Sequence, residues 1–378
     1  MIYFDNAATT QIDENVVLAM TEILKNQYGN ASSLYSIGRA SKHEIEKARR
    51  IISDCIGCNP EEIIFTSGGF ESDNYALKGS ISECKNTEII CSQFEHHAVI
   101  NAVNNLEKQG CMINWIPILE NGMVDLSKLE HMISKKTRLV SVMMVNNEIG
   151  TIQDIKNIVK IVKRINSDCL LHTDAVQAVG QVDINVKDLG IDMLSASGHK
   201  FNGPKGIGFL YKKSGVQLNN LIDGGQQEEG RRAGTENLAS IVGMSIALKN
   251  NIDMLDENRE HKKHLRKYLL NRMDGEGIQY SLNVPIEKSI ESCLNLRFSG
   301  VDAEGLMNVL DVNDICISLG SACNSKSKQR SHVLRAIGLS DEEIDFSIRL
   351  SLGKYNTMED VNSFVVVLKN YFNLLGMC

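Results

Sequence analysis

Proline is scarce in this chain, four in 378 residues, and tryptophan occurs once. So few prolines leave little hard punctuation, and unit boundaries have to be read from charge and periodicity. Positive charge is not in excess: 40 Lys and Arg stand against 47 Asp and Glu, a formal charge of -7. A footprint for a phosphate backbone is therefore missing, which argues against nucleic acid as a direct partner. No apolar run approaches the roughly 20 residues needed to cross a bilayer, and "MIYFDNAATT" has no basic start leading into an apolar stretch. The expectation is a cytoplasmic protein without membrane contact. The ten cysteines show no dense spacing, so reduced thiols, mostly core filler, are expected rather than a disulfide framework. Cys55 and Cys58 form a C-x-x-C, but no second pair follows at zinc spacing and Gly57 reads as a helix stop.

What is present is alternation. "EEIIFTSGG", "TEIICSQ", "MINWIPI", "TRLVSVMMV" and "CLLHTDAV" are short apolar, mostly β-branched runs. Segments of helical period separate them, such as "AVINAVNNLEKQG" and "DIKNIVKIVKRIN". Strands alternating with helices imply a largely parallel sheet covered on both faces, with ligands bound beyond the carboxyl ends of its strands. "MLSASGHK" and "GIGFLYKK" add two strands. The charged run "DENREHKKHLRK" marks a solvated helix at the start of a second unit, with strands at "IQYSL", "SCLNLRFSG" and "FSIRLSLG" and a last helix over 358–375. The division expected is an N-terminal segment 1–15 packing with the small domain, a large domain 16–255 and a small domain 256–378.

Several segments carry chemistry. "FTSGGFESDN" places glycines between a strand and a helix, either as a phosphate cradle at a helix N-terminus or as a plain tight turn. Asp174 in "HTDAVQA" ends a strand, where it is either a functional carboxylate or a helix cap. "SASGHKFNGPKG" sets Ser197, His199 and Lys200 among three glycines; Lys200 is a surface charge or, if desolvated, a Schiff-base lysine. His96 and His97 are adjacent and so do not converge on one metal ion, and no metal is expected. Cys323 sits in the polar stretch "SLGSACNSKSKQRSHVL".

In order along nearly the whole chain, "YFDNAATT", "FTSGGFESDN", "EHHAV", "VNNEIGTIQ", "HTDAVQA", "SGHKFNGPKGIG", "EEGRRAGTEN", "GSACNS", "SHVLRAIG" and "SIRLSLG" resemble the cysteine desulfurases of the class V aminotransferase family. More narrowly they are similar to the long-loop group that serves nitrogen fixation and iron-sulfur-cluster assembly. The resemblance implies an α/β chain of the fold-type I pyridoxal-phosphate-dependent transferase kind, a large domain with a mostly parallel seven-stranded sheet plus a smaller α+β domain. It implies pyridoxal 5'-phosphate as cofactor, joined to Lys200. Asp174 would face the pyridine nitrogen, Gln177 the phenolic oxygen, and His96 would stack on the ring and assist proton transfer. The phosphate would lie on the backbone at Gly69 and Phe70 and on Ser197 and His199, with Thr235 reaching over from a second subunit of a homodimer. Arg349, with Asn147, would hold the carboxylate of L-cysteine. Cys323 would take the sulfur as a persulfide, leave alanine, and pass the sulfur to a protein acceptor or iron-sulfur scaffold.

The sequence departs from the family pattern at several of these places. Phe70 stands where a threonine hydroxyl is usual, Gln226 replaces a glycine, Tyr35 a histidine, and Asp154 a proline. A selenocysteine lyase or an aminotransferase on the same scaffold, and a non-enzymatic sulfur carrier, are the competing readings. Cys323 argues against the aminotransferase, and retention of Lys200, Asp174, His96 and Arg349 argues against the carrier.

Overall fold

The computed structural model describes residues 1–319 and 330–377. The strands in chain order are β1 (Ile2–Tyr3), β2 (Ile63–Thr66), β3 (Glu88–Ser92), β4 (Met112–Ile116), β5 (Thr137–Ser141), β6 (Leu170–Asp174), β7 (Met193–Ser197), β8 (Gly208–Lys212), β9 (Ser281–Leu282), β10 (Cys293–Arg297), β11 (Ile315–Cys316) and β12 (Ser347–Ser351). β2 to β8 form one seven-stranded sheet in the order β2-β8-β7-β6-β5-β3-β4. β8 runs antiparallel to both neighbours and the remaining pairings are parallel. The mostly parallel sheet expected from alternating runs is thus present. Every residue of β6 and β7 is buried, as a sheet covered on both faces requires.

The covering helices follow local signals. Ser36–Ile56 buries Ile45, Ile52 and Ile56 and stops at Gly57, whose φ of 73° suits a glycine. Ile155–Ile165 is capped by Asp154, whose side chain accepts from the Asn157 N–H. The residue found in place of a proline therefore has a capping task.

A three-stranded antiparallel sheet, β12-β10-β9, belongs to the C-terminal part. The run "IQYSL" contributes only Ser281 and Leu282 as strand. The helices Leu255–Gly275 and Met358–Leu374 pack with it, and Leu269, Leu296, Ile348, Phe364 and Leu368 share one buried cluster. Phe4 joins that cluster, its ring edge-on to Phe364 at 5.9 Å. β1 pairs in parallel with β11. Val333, Leu334 and Ile337 pack instead into the core of the large sheet, so the chain returns to the large layer after residue 330.

Candidate active site

The carboxyl ends of β2, β3, β5, β6 and β7 open on one cavity of about 530 Å³. Lys200 enters it from a single 3-10 turn, Gly198–Lys200, that follows β7. Its ammonium donates to the carbonyls of Ala7 at 2.6 Å and Ala8 at 2.8 Å. Asp174, the last residue of β6, is 3% exposed and accepts from the Val176 N–H at 2.9 Å. Burial raises its pKa to about 6, against the pull of the Val176 N–H and of Lys200. Gln177 lines the same wall and donates to the Ala7 carbonyl at 2.8 Å.

His96 caps the helix His97–Lys108, its Nδ1 accepting from the Ala98 N–H at 3.1 Å. That bond places the proton of the neutral ring on Nε2. Burial, then the charges of Lys200, His97 and His332, bring its pKa down to about 4, so the ring is neutral across the working range. Burial and Lys200 act likewise on His199, lowered to about 4; its Nδ1 meets Thr9 Oγ1 at 3.1 Å.

At the end of β2 the helix Gly69–Gly79 turns its N-terminus to the cavity. A Cβ on Gly69 would stand 2.5 Å from Val176 Cγ2 and 3.5 Å from Ser197 Cβ. Only glycine allows the backbone N–H groups to come this close to the cavity wall. Phe70 lines the cavity yet is 61% exposed, so it brings no hydroxyl and little packing. Thr235 is exposed and is not part of the cavity wall.

Arg349 projects from β12 and is 2% exposed. Its Nη1 donates to the Asn147 carbonyl at 2.7 Å and its Nη2 to Asp5 Oδ1 at 2.6 Å, while Nε is buried without a partner. Lys200, His96, Asp174, Gln177, Gly69, Phe70, Ser197, His199, Asn147 and Arg349, all singled out from sequence, line the one cavity. Cys323, with Lys326 and Lys328, lies outside the described residues.

Among the cavity residues not singled out from sequence are Asp73, Glu95, Glu148 and His332. Asp73 Oδ1 and Glu95 Oε2 are buried without partners. Burial, then the neighbouring Asp174, holds the Asp73 carboxyl well above its ordinary range, and burial raises Glu95 to about 8. Glu95 is therefore mostly protonated at pH 7. Burial likewise lifts Glu148 to about 7; its carboxyl accepts from the Ser331 hydroxyl. His332 meets the Glu95 carbonyl at 2.9 Å and the His97 ring at 5.0 Å. The available signal was position: Asp73 and Glu95 lie within "FTSGGFESDN" and "EHHAV", where an acid is buried next to an already suspected residue.

These residues fit pyridoxal phosphate. Asp174 is a buried carboxylate on which, among the described residues, Lys200 is the one cation acting, which suits a protonated ring nitrogen; the Gly69 backbone suits a phosphate; and Arg349 Nε is a buried polar atom still to be satisfied.

The model of the aminotransferase class-V family matches residues 2–364. The chain belongs to that family. It is 43% identical over 376 residues to the cysteine desulfurase IscS of Dictyoglomus turgidum, covering 99% of this chain and 95% of that protein. A putative cysteine desulfurase IscS 1 of Bacillus subtilis is 41% identical over 365 residues, covering 96% of each. Among solved structures, a NifS-like protein superposes with a TM-score of 0.93 at 35% identity over 99% of both chains. SspA, solved in complex with cysteine, gives a TM-score of 0.83 at 33% identity over 94% of this chain and 100% of that one. The fold is that of the fold-type I enzymes, and the class-V family to which the chain belongs depends on pyridoxal phosphate.

Proposed function

We propose that the chain is a pyridoxal-phosphate-dependent cysteine desulfurase that converts L-cysteine to L-alanine and carries the sulfur on Cys323 as a persulfide. The observation that carries this reading is the meeting of Lys200, Asp174, His96 and Arg349 on one cavity, in a chain whose full-length relatives are named for that activity.

When bound, the cofactor supplies an electron sink that holds the substrate amino group and accepts the electron pair left at Cα. Asp174 keeps the ring nitrogen protonated; its own elevated pKa falls once a cation faces it. The Gly69 N-terminus, Ser197 and His199 hold the phosphate, and Thr235 of a second copy completes that set. Arg349 binds the substrate carboxylate, its fork oriented by Asp5 and the Asn147 carbonyl. Lys200, steered by the Ala7 and Ala8 carbonyls, removes the proton from Cα. Neutral His96 offers its Nε2–H to the reacting group. The Cys323 thiolate attacks the substrate sulfur: an S–S bond forms, the Cβ–Sγ bond breaks with its electron pair remaining on Cβ, and protonation at Cβ followed by return of the proton from Lys200 to Cα leaves alanine.

Supply of sulfur to iron-sulfur-cluster or thio-cofactor assembly, through a protein acceptor, is the role supported by the relatives' names. A homodimer is supported by Leu18, Leu24, Tyr28 and Leu34, at 63%, 69%, 83% and 88% exposure along and just after the helix Glu14–Asn26. No helix among the described residues is long and apolar enough to cross a membrane. Reduced cysteines support a cytoplasmic location. The cluster shared by Leu265, Leu269, Leu296, Ile348 and Phe364 supports a small C-terminal unit joined by Phe4, while Val284, Val333, Leu334 and Ile337 of the 256–378 range pack into the large layer. The test is direct: purified protein with L-cysteine should release alanine and, with a reductant, sulfide in equal amounts. Turnover of L-alanine or L-serine without a requirement for Cys323 would refute the reading.

A further inference from the structure

The helix Leu255–Gly275 carries a lysine that the chemistry above does not use. Lys262 is 4% exposed, and its ammonium donates to Gln181 Oε1. It forms no ion pair with any described carboxylate. Glu291, whose charge acts on it, is engaged by Arg259 at 3.1 Å, and the neighbouring Lys354 is taken by Asp13 at 2.7 Å. Burial lowers the Lys262 pKa to about 8, which leaves it mostly protonated at neutral pH. A buried cation with no carboxylate in direct contact is costly, and such sites are normally completed by an anion or by polar partners.

A second, smaller cavity of about 30 Å³ opens beside it. One water needs roughly 10–15 Å³, so this void admits a small ion or about two waters. Its wall includes Lys262, Lys200 and Lys354, several amides and hydroxyls, and, among the described residues, no aspartate or glutamate. Asn258 lies one turn before Lys262 on the same helix face, and both border the void. Gln181 gives its carbonyl oxygen to Lys262 and so keeps its NH2 group for another acceptor. Ser292 adds a hydroxyl from the residue before β10.

We propose that this cavity is a binding site for a small monovalent anion of the chloride class, held by Lys262, Asn258, Gln181 and Ser292. The donors come from both parts of the chain: Gln181 from the large-sheet layer, the others from the C-terminal part. The ion therefore clamps the helix Leu255–Gly275 to the layer that carries Lys200. The site is separate in its donors from the catalytic cavity, so its test does not depend on the desulfurase reading.

The holoenzyme is melted at pH 7 in increasing sodium chloride, sodium bromide or sodium gluconate at one ionic strength. Chloride and bromide should raise the melting temperature by about 2 °C over gluconate and then saturate, as binding to the native state alone requires. Lys262→Met should abolish the difference between the salts, whatever its own melting temperature. Crystals soaked in bromide should show one anomalous peak between Lys262 and Asn258. Identical curves in all three salts, or an undiminished halide effect in Lys262→Met, would overturn the site. A bromide peak without the saturable shift in solution would mean binding at crystal concentration only, and would overturn it as well.

Discussion

Asp5 and the buried Arg349, 344 positions apart, form a partly buried ion pair with Oδ1 and Nη2 at 2.6 Å. The pair fixes the guanidinium before any substrate arrives and leaves Nε as the buried donor without a partner. Arg349→Lys keeps the charge but loses the planar fork. Loss of one charge-assisted hydrogen bond, about 1.5–3 kcal/mol, should raise KM for L-cysteine about 10- to 100-fold with a smaller effect on kcat. Steady-state kinetics decide it; an unchanged KM would remove Arg349 from carboxylate binding.

Lys200→Ala should lose both activity and the visible absorbance of lysine-linked cofactor, because among the described residues Lys200 and Lys205 are the lysines on the cavity wall. Borohydride reduction followed by peptide mapping checks this. Label found on Lys205 in the variant would show that the assignment is wrong.

Cys323→Ala should keep the cofactor and still change its spectrum on addition of L-cysteine, since those steps use Lys200 and Arg349. Sulfide release should fall at least about 100-fold, the scale of losing a covalent nucleophile. Wild-type alanine formation would point to another thiol. Cys91 is a poor substitute, being fully buried with its pKa pushed well up by burial.

Phe70→Thr restores a hydroxyl at the N-terminus of the helix Gly69–Gly79. Because Phe70 is 61% exposed, its removal opens no core cavity. Cofactor binding to apo-protein should tighten about tenfold for each 1.4 kcal/mol recovered, read by titration with pyridoxal phosphate. Equal or weaker binding would mean that the phenyl ring itself orders the loop.

Glu95 has its pKa raised from 4.5 to about 8 by burial. The folded state then binds more protons than the unfolded one between those values, so this group lowers stability progressively as pH rises from 4.5 through 8. Glu95→Gln removes the titration. Urea midpoints of the variant and the wild type should be nearest at pH 5 and diverge in favour of the variant by pH 8; a constant difference would show that Glu95 is not the titrating group.

Much of this was legible beforehand because the signals were local. β-branched runs marked the strands of the large sheet, Gly57 marked a helix end, and strand-end residues such as Asp174 and Lys200 fell on the cavity by the rule for parallel sheets. Asp73, Glu95 and Glu148 were not legible, since a buried acid is identified by what surrounds it and not by spacing. Thr235 shows a different limit: its expected partners would lie on another copy of the chain. The antiparallel course of β8 was equally hidden, because run length and composition do not state strand direction.

The catalytic wall is closed by the two ends of the chain. Ala7 and Ala8 hold Lys200, Asp5 holds Arg349, and the Ala7 N–H bonds the Ser351 hydroxyl at 2.9 Å. On a ribosome adding about 5–20 residues each second, those partners become available only tens of seconds after the first residues emerge. The carboxylate-binding arginine is thereby completed after the lysine site, because Arg349 lies on β12 whereas Lys200 and its Ala7 and Ala8 partners all precede that strand.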